Sequence, residues 1–207
     1  MIKELGIAGF VGRFKPLHNG GALALDTLCD KADHLIIGIG SSNKYNLRNP
    51  YTPKESMEMI DAYLSQRHNN YSFKFVPDFA HLPEFSDGQK WREFVVKEFG
   101  VLDYFVSGNN YVKNLLENDY KIIHPASLIP REKWIKLRAT EVRYEMALKH
   151  DWQRLVPVEV SDYIIKNSFD ERFRDEFGKE TIEVLANDDG FKMSESALAE
   201  RNHTMEK

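Results

Sequence analysis

The sequence predicts an α/β protein: a doubly wound, mostly parallel sheet followed by C-terminal helices. Three observations predict it. Residues 5–11 and 34–39 are short apolar runs without strict alternation, the pattern of strands buried on both faces. The segments between such runs carry apolar residues at helical spacing. A glycine-containing turn starting at Gly12 separates the first strand from the first helix, which is where a parallel sheet of this kind presents its ligand loops.

Each element can be justified in order. After the strand over 5–11, residues 22–29 repeat apolar positions at helical spacing, and the second strand over 34–39 completes a βαβ unit. Thr52-Pro53-Lys54-Glu55 is a helix start: Thr52 can cap, Pro53 suits the first helical position and Glu55 completes a capping box. That helix is expected to reach about Gln66. A third strand is expected over 71–76, then a loop over 77–89, then a helix whose face carries Trp91, Phe94, Val95 and Phe99. A fourth strand over 104–107 leads through Gly108-Asn109-Asn110 into a helix with Val112, Leu115 and Leu116, and a short fifth strand covers 120–123. Helices are expected over 140–149 and 157–166. Beyond Asn167, Phe169, Phe173 and Phe177 recur every fourth residue, and the polar stretch 193–207 shows no apolar face. The expected division is a domain over 1–166 and a C-terminal extension over 167–207, helical or partly disordered.

Composition narrows the function. The chain has 207 residues, 42% hydrophobic and 29% charged, with a net charge of −4, enough for one α/β domain with a sizeable core. A mildly acidic chain offers no electrostatic attraction to nucleic acid or to an anionic membrane, so a phosphate site has to be local, made by placed arginines and backbone amides. The single cysteine, Cys29, rules out an intrachain disulfide, and its helical spacing with Leu25 predicts packing. The first residues lack the basic start and apolar run of a signal peptide, and no apolar stretch approaches bilayer-spanning length. The expectation is a cytoplasmic chain.

The sharpest signal is Gly12-Arg13-Phe14-Lys15-Pro16-Leu17-His18-Asn19-Gly20-Gly21. Glycines let backbone approach phosphates, the following helix offers unpaired amides, Arg13 adds a fork of donors and His18 adds a neutral or cationic donor. Other candidates carry less. His68, His81 and His124 lack metal-ligand spacing. Asp78, Glu84 and Asp87 cluster in the 77–89 loop, as a solvated acidic loop also would. Trp134 could form an aromatic wall, or simply pack.

The motif run resembles the Gly-Arg-Phe-x-Pro-x-His-x-Gly-His sequence of the HxGH nucleotidyltransferases, in particular the archaeal-type nicotinamide-nucleotide adenylyltransferases. Further segments share the resemblance in the same order: Ile37-Gly38-Ile39-Gly40-Ser41, Arg48-Asn49-Pro50-Tyr51-Thr52, Ser107-Gly108-Asn109, Thr140-Glu141-Val142-Arg143 and Leu155-Val156-Pro157. Several ordered motifs are far more specific than one. They span roughly the first four-fifths of the chain, with insertions near 83–87 and 134–137.

The resemblance implies a Rossmann-like fold and transfer of the adenylyl group of ATP to nicotinamide mononucleotide (NMN), giving NAD and pyrophosphate. It implies that Arg13, His18 and Arg143 hold the triphosphate, helped by Gly12, Gly20 and Gly21. Thr140 would act at a helix N-cap, and Gly108 and Asn109 would hold the ATP ribose and adenine. Arg48 would hold the phosphate of NMN, and Trp91 would stack on the nicotinamide ring. Magnesium would arrive with ATP, with no dedicated protein metal site. A homo-oligomer is implied too, and an exposed phenylalanine stripe at 169, 173 and 177 would suit one.

Two positions depart from the family pattern. Gly21 stands where the second histidine of the motif belongs, and Arg138 stands where the serine of Ser-x-Thr-x-x-Arg belongs. The histidine would donate to the α-phosphate, a contribution typically worth roughly a hundred- to a thousand-fold in rate. An impaired enzyme, a divergent active one in which Arg138 compensates, and a non-catalytic nucleotide-binding protein all remain open at this stage. Phosphopantetheine, glycerol-phosphate and flavin-mononucleotide nucleotidyltransferases share the HxGH motif, but Arg48-Asn49-Pro50 and Ser107-Gly108-Asn109 argue against them.

Overall fold

A computed structural model describes residues 3–79, 88–188 and 191–193. The acidic positions Glu84 and Asp87, His81, the insertion near 83–87 and the tail from 194 onward lie outside the described residues.

Five strands form one sheet: β1 (Ile7–Gly12), β2 (His34–Ile39), β3 (Tyr71–Phe75), β4 (Tyr104–Val106) and β5 (Ile122–Ile123). Their order is β3-β2-β1-β4-β5, and every pairing is parallel, with Gly9 opposite Ile36 on one side and Phe105 on the other. The winding reverses at β1, which is the doubly wound arrangement whose ligand crevice opens at the carboxyl ends of the strands. The fifth strand is shorter than expected. Tyr120 precedes it and packs instead, its ring stacked 5.8 Å from Phe105 and its hydroxyl donating to the Gly100 carbonyl at 2.9 Å.

The helices are α1 (Asn19–Lys31), α2 (Pro53–Leu64), α3 (Gln89–Phe99), α4 (Asn110–Leu116), α5 (Ala139–Ala147), α6 (Val158–Lys166), α7 (Phe169–Phe173) and α8 (Lys179–Ala186), the last two joined by a π-helical turn over Arg174–Gly178. None of the described helices is long and apolar enough to cross a membrane. The chain divides into two compact units, each discontinuous in sequence. Unit 1 comprises Met1–Arg13, Ala24–Lys44 and Arg67–Trp134; unit 2 comprises Phe14–Leu23, Tyr45–Gln66 and Ile135–Lys207.

Unit 1 holds the sheet. Its core gathers Val76, Val95, Phe99, Phe105, Leu116 and Tyr120, with Trp91 and Phe94 packed against it. Two glycines let α3 settle onto the strands. A Cβ at Gly38 would lie 2.8 Å from Phe99 Cζ and 2.7 Å from Val11 Cγ2, and one at Gly9 would lie 2.7 Å from Leu102 Cδ1. Cys29 is buried, as expected. The scattered histidines have structural partners: His68 Nε2 meets Asp26 at 3.0 Å, and His124 Nδ1 accepts the Ala126 amide at 3.1 Å.

Unit 2 is helical. The expected start of α2 is present in full, with Thr52 Oγ1 accepting from the Glu55 amide at 3.2 Å and Glu55 Oε2 accepting from the Thr52 amide at 2.8 Å. Helix α2 packs on α6, and α5 packs on α8 and the π-helical turn. The phenylalanine repeat is not an exposed stripe. Phe173 is 1% exposed, Phe169 lies 6.1 Å from Tyr51 and 5.8 Å from Tyr163, and Phe177 lies 5.4 Å from Tyr45. Full burial of such a side chain contributes about 1.5–3 kcal/mol; Phe173 gains it within unit 2 and Phe169 and Phe177 are half-buried there, so the repeat is no argument for a subunit interface.

Candidate active site

In unit 1 a cleft of about 440 Å³ opens at the carboxyl ends of four neighbouring strands. Gly12 and Arg13 come from β1, Gly40 and Ser41 from β2, Pro77, Asp78 and Phe79 from β3. Gly88 and Trp91 come from the start of α3, and Asn109, Tyr111 and Val112 from the start of α4. The size is typical of a small-molecule site. Its rim is tied together by backbone. The Gly40 amide donates to the Gly12 carbonyl at 2.8 Å. Asn43 clamps Asp78, accepting from its amide at 2.8 Å and donating to its carbonyl at 3.0 Å. Gly88 has φ +76°, a left-handed conformation, and any Cβ there would collide with Tyr111 and Leu115, so the wall is open only because that residue is glycine.

Four of the expected ligand residues, Gly12, Arg13, Trp91 and Asn109, therefore meet in one cleft. Gly108 precedes Asn109, with its Cα edge against His124 Nε2. The Asn109 side chain caps α4, its Oδ1 accepting from the Tyr111 amide at 2.8 Å, while Ser107 Oγ accepts from the Asn109 amide at 3.1 Å. The sequence reading missed Tyr111, Phe79 and Gly88 as cleft residues. Tyr111 sits two residues after Asn109, so the Ser-Gly-Asn turn was the signal that could have found it.

Unit 2 gathers the rest of the motif. After Phe14, in a left-handed conformation at φ 51°, the chain reaches His18, which caps α1: its carbonyl accepts from the Ala22 amide at 2.9 Å and its Nδ1 from the Gly21 amide at 3.2 Å. Burial pushes the His18 pKa down to about 4; Glu141 opposes that shift and Arg143 reinforces it. Arg143 is 5% exposed, and its Nη1 donates to the Lys15 carbonyl at 2.7 Å. Its Nη2 donates to Thr140 Oγ1 at 3.3 Å. Glu141 and Lys15 are fully buried; lone charges in a sequence read as surface, so neither was singled out. Gly20 is required, since a Cβ there would lie 2.6 Å from the Ile135 carbonyl oxygen.

One expectation needs adjustment. Thr140 is not an N-cap: α5 starts at Ala139 and Arg138 holds the cap position. Its amide donates to Glu141 Oε2 at 2.7 Å. The Arg138 guanidinium, in turn, donates to the Lys192 carbonyl at 2.8 Å and lies 5.6 Å over the Phe191 ring, so it is engaged with the C-terminal segment. Trp134 donates through Nε1 to the Ile129 carbonyl at 2.8 Å and is 40% exposed; it is not among the residues of the cleft. Arg48 sits in the turn organised by Asn46 in unit 2, with its side chain exposed.

A parallel sheet in the order 3-2-1-4-5, a cleft at its carboxyl edge and a His-containing loop capping the first helix define a nucleotide-binding transferase architecture. Residues 9–145 match the family model described as cytidylyltransferase-like, and the chain belongs to that family. Among its relatives are proteins named nicotinamide-nucleotide adenylyltransferase. That of Thermococcus onnurineus is 34% identical over 157 residues, covering 75% of this chain and 80% of the relative. That of Thermococcus kodakarensis is 33% identical over 180 residues, covering 86% and 87%. That of Archaeoglobus fulgidus is 29% identical over 175 residues, covering 84% and 98%. Among solved structures, a bifunctional NMN adenylyltransferase/ADP ribose pyrophosphatase from Francisella tularensis, complexed with AMP and a manganese ion, has the same fold with a TM-score of 0.65. At 17% identity the match covers 91% of this chain and 57% of that one, so this chain spans little more than half the length of that bifunctional protein.

Proposed function

We propose that the protein transfers the adenylyl group of ATP to nicotinamide mononucleotide, releasing pyrophosphate and forming NAD. One observation carries the reading: the motif loop sets a neutral, half-buried His18 near the buried Arg143 and its partner Thr140, at the start of α1. That is a site for phosphate built from donors and charge, without a nucleophile, and adenylyl transfer needs none. A phosphate oxygen of NMN attacks the α-phosphorus of ATP, a P–O bond forms, and the bond to the bridging β-phosphate oxygen breaks with pyrophosphate leaving. Catalysis then rests on alignment and on stabilising charge at the α-phosphate and the leaving group.

In this reading Arg13, His18 and Arg143 hold the triphosphate with the backbone of Gly12, Gly20 and Gly21, and Thr140 adds a hydroxyl. Gly108 and Asn109 hold the adenosine, Arg48 holds the NMN phosphate and Trp91 stacks on nicotinamide. Among the described residues no three His, Cys, Asp or Glu side chains converge as a metal site. Magnesium bound with ATP would neutralise charge on the phosphates held by Arg13, His18 and Arg143. The protein acts in the cytoplasm, and the family resemblance supports a homo-oligomer.

A second reading is favoured by two features. Gly21 offers no side-chain donor, and Arg138 is turned to Lys192 and Phe191, so the chain could bind nucleotides without turning them over. The test is NAD formation from ATP and NMN, with calorimetry of both ligands on the same preparation. Turnover supports adenylyl transfer; tight binding of both with no turnover establishes the second reading; binding of flavin mononucleotide or pantetheine phosphate with no NMN binding overturns both.

A further inference from the structure

Arg48 stands on a short loop closed by a backbone pair between Asn46 and Asn49 and organised further by one side-chain atom. Asn46 Oδ1 accepts from the amides of Arg48 and Asn49, both at 3.1 Å, and from Asn49 Nδ2 at 3.0 Å. A three-way hub of this kind fixes the shape of the turn but not its attachment to the rest of unit 2. Both flanks are attached, and to the same short stretch of chain more than a hundred residues later. On the upstream flank, the Tyr45 hydroxyl donates to Glu176 and its ring packs edge-on against Phe177 at 5.4 Å. On the downstream flank, Arg172 donates to both carboxylate oxygens of Glu55, each at 2.8 Å, and through Nη2 to the Pro50 carbonyl at 3.4 Å. The same carboxylate accepts the Thr52 amide that caps α2. Phe169 lies under the Arg172 guanidinium at 4.4 Å and beside the fully buried Tyr51 at 6.1 Å.

We propose that Arg172 is a positioning residue for the mononucleotide site: with Tyr45 and Glu176 it clamps residues 45–55 onto the C-terminal helices and so fixes where Arg48 is presented. The proposal rests on the reading of Arg48 as the ligand of the NMN phosphate. The physical reason is preorganisation. An arginine on an untethered loop must be ordered when the ligand binds, and that ordering weakens binding. A planar fork held by two carboxylate oxygens, a carbonyl and an aromatic face has little freedom left to lose. The C-terminal helices, which contribute no residue to the motif loop or the cleft, acquire a defined part in acceptor binding.

The experiment compares Arg172→Ala, Arg48→Ala and the double variant for KM of NMN, KM of ATP, kcat and Tm. The expected result for Arg172→Ala is a rise of about tenfold in KM for NMN, the size of one lost charge-assisted contact, with KM for ATP and kcat little changed. The double variant should be no worse than Arg48→Ala alone. A lowered Tm with unchanged KM for NMN gives Arg172 a structural role only and overturns the proposal. If Arg48→Ala itself leaves KM for NMN unchanged, the Arg48 assignment falls and the positioning role falls with it, whereas Arg48→Ala impaired beside a normal Arg172→Ala removes the clamp alone. Should Arg172→Ala fail to fold, Tyr45→Phe keeps the ring packing and removes the hydroxyl to Glu176. It should raise KM for NMN severalfold without moving that for ATP, and an unchanged value overturns the proposal.

Discussion

Gly21 donates its backbone N–H to Nδ1 of His18 at 3.2 Å. A ring nitrogen that accepts a hydrogen bond carries no proton, so the neutral imidazole keeps its proton on Nε2. Burial lowers the pKa to about 4, so this neutral tautomer is the form at pH 7. His18 is therefore a neutral donor, and in the proposed site the formal positive charge offered to phosphates would come from arginine.

The pH dependence follows with a definite sign. The unfolded chain protonates His18 near its ordinary value of about 6.5, and the folded chain near 4. Between those values the unfolded state binds more protons, so stability from this residue is complete above pH 6.5 and falls as pH drops toward 4. Tm should decline over that window in the wild type and less steeply in His18→Asn. The His18 imidazole should titrate near 4 by NMR, and titration near 6.5 would sink the buried, neutral reading.

Gly20 and Gly21 should respond oppositely to substitution. A Cβ at Gly20 would lie 2.6 Å from a backbone oxygen, whereas the nearest atoms to one at Gly21 are side-chain atoms, Leu17 Cδ1 at 3.2 Å, His18 Cε1 at 3.7 Å and His18 Nε2 at 3.8 Å. Gly20→Ala should lower Tm and abolish turnover. Gly21→Ala should fold normally. Gly21→His should restore a donor beside His18 and raise kcat by roughly two to three powers of ten, with ATP binding changed much less. A brisk wild-type rate that falls in Gly21→His would show that another group supplies the donor.

Arg143 carries two duties. It is expected to hold ATP phosphates, and it holds the Lys15 carbonyl of the motif loop. Arg143→Ala should weaken ATP binding and also cost stability, on the order of 1–3 kcal/mol for the buried carbonyl left without its donor. Chemical denaturation beside ATP calorimetry separates the two. Unchanged ATP affinity in folded Arg143→Ala would remove the residue from the site and leave only its structural duty.

Trp91 lines the cleft of unit 1. Trp91→Ala should raise KM for NMN by about tenfold, and Trp91→Phe by less, since a smaller ring still stacks. Equal KM values across wild type and both variants would exclude Trp91 as the nicotinamide wall.

Much of the architecture was legible because it depends on local pattern. Apolar runs gave the strands, and Thr52 with Glu55 gave the start of α2 to the residue. The motif loop was legible because glycine, arginine and histidine in fixed order have few structural explanations. What was not legible depends on distant partners. The inward turn of Phe173 depends on packing within unit 2 that no periodicity encodes. The cap of α5 falls at Arg138, a residue with no acceptor in its side chain, because Glu141 reaches back to the Arg138 amide instead. Tyr111, Phe79 and Gly88 join the cleft only once β3 and β4 lie at their places in the sheet.

The glycines beneath α3 give the cleft an adjustment remote from any ligand. Phe99 is seated against Gly38 and Gly9, and Trp91 stands on the same helix eight residues earlier, about 12 Å along its axis. A rigid rod pressed down at one end carries its other end with it. A methyl group added at position 38 would press on Val11 Cγ2 at 2.7 Å and Phe99 Cζ at 2.8 Å, and if the helix yields rather than the side chains, Trp91 at its other end moves too. If Trp91 faces the acceptor ring as proposed, selectivity would then drift through the sheet floor, by substitutions that look like core packing and act as a change of gauge.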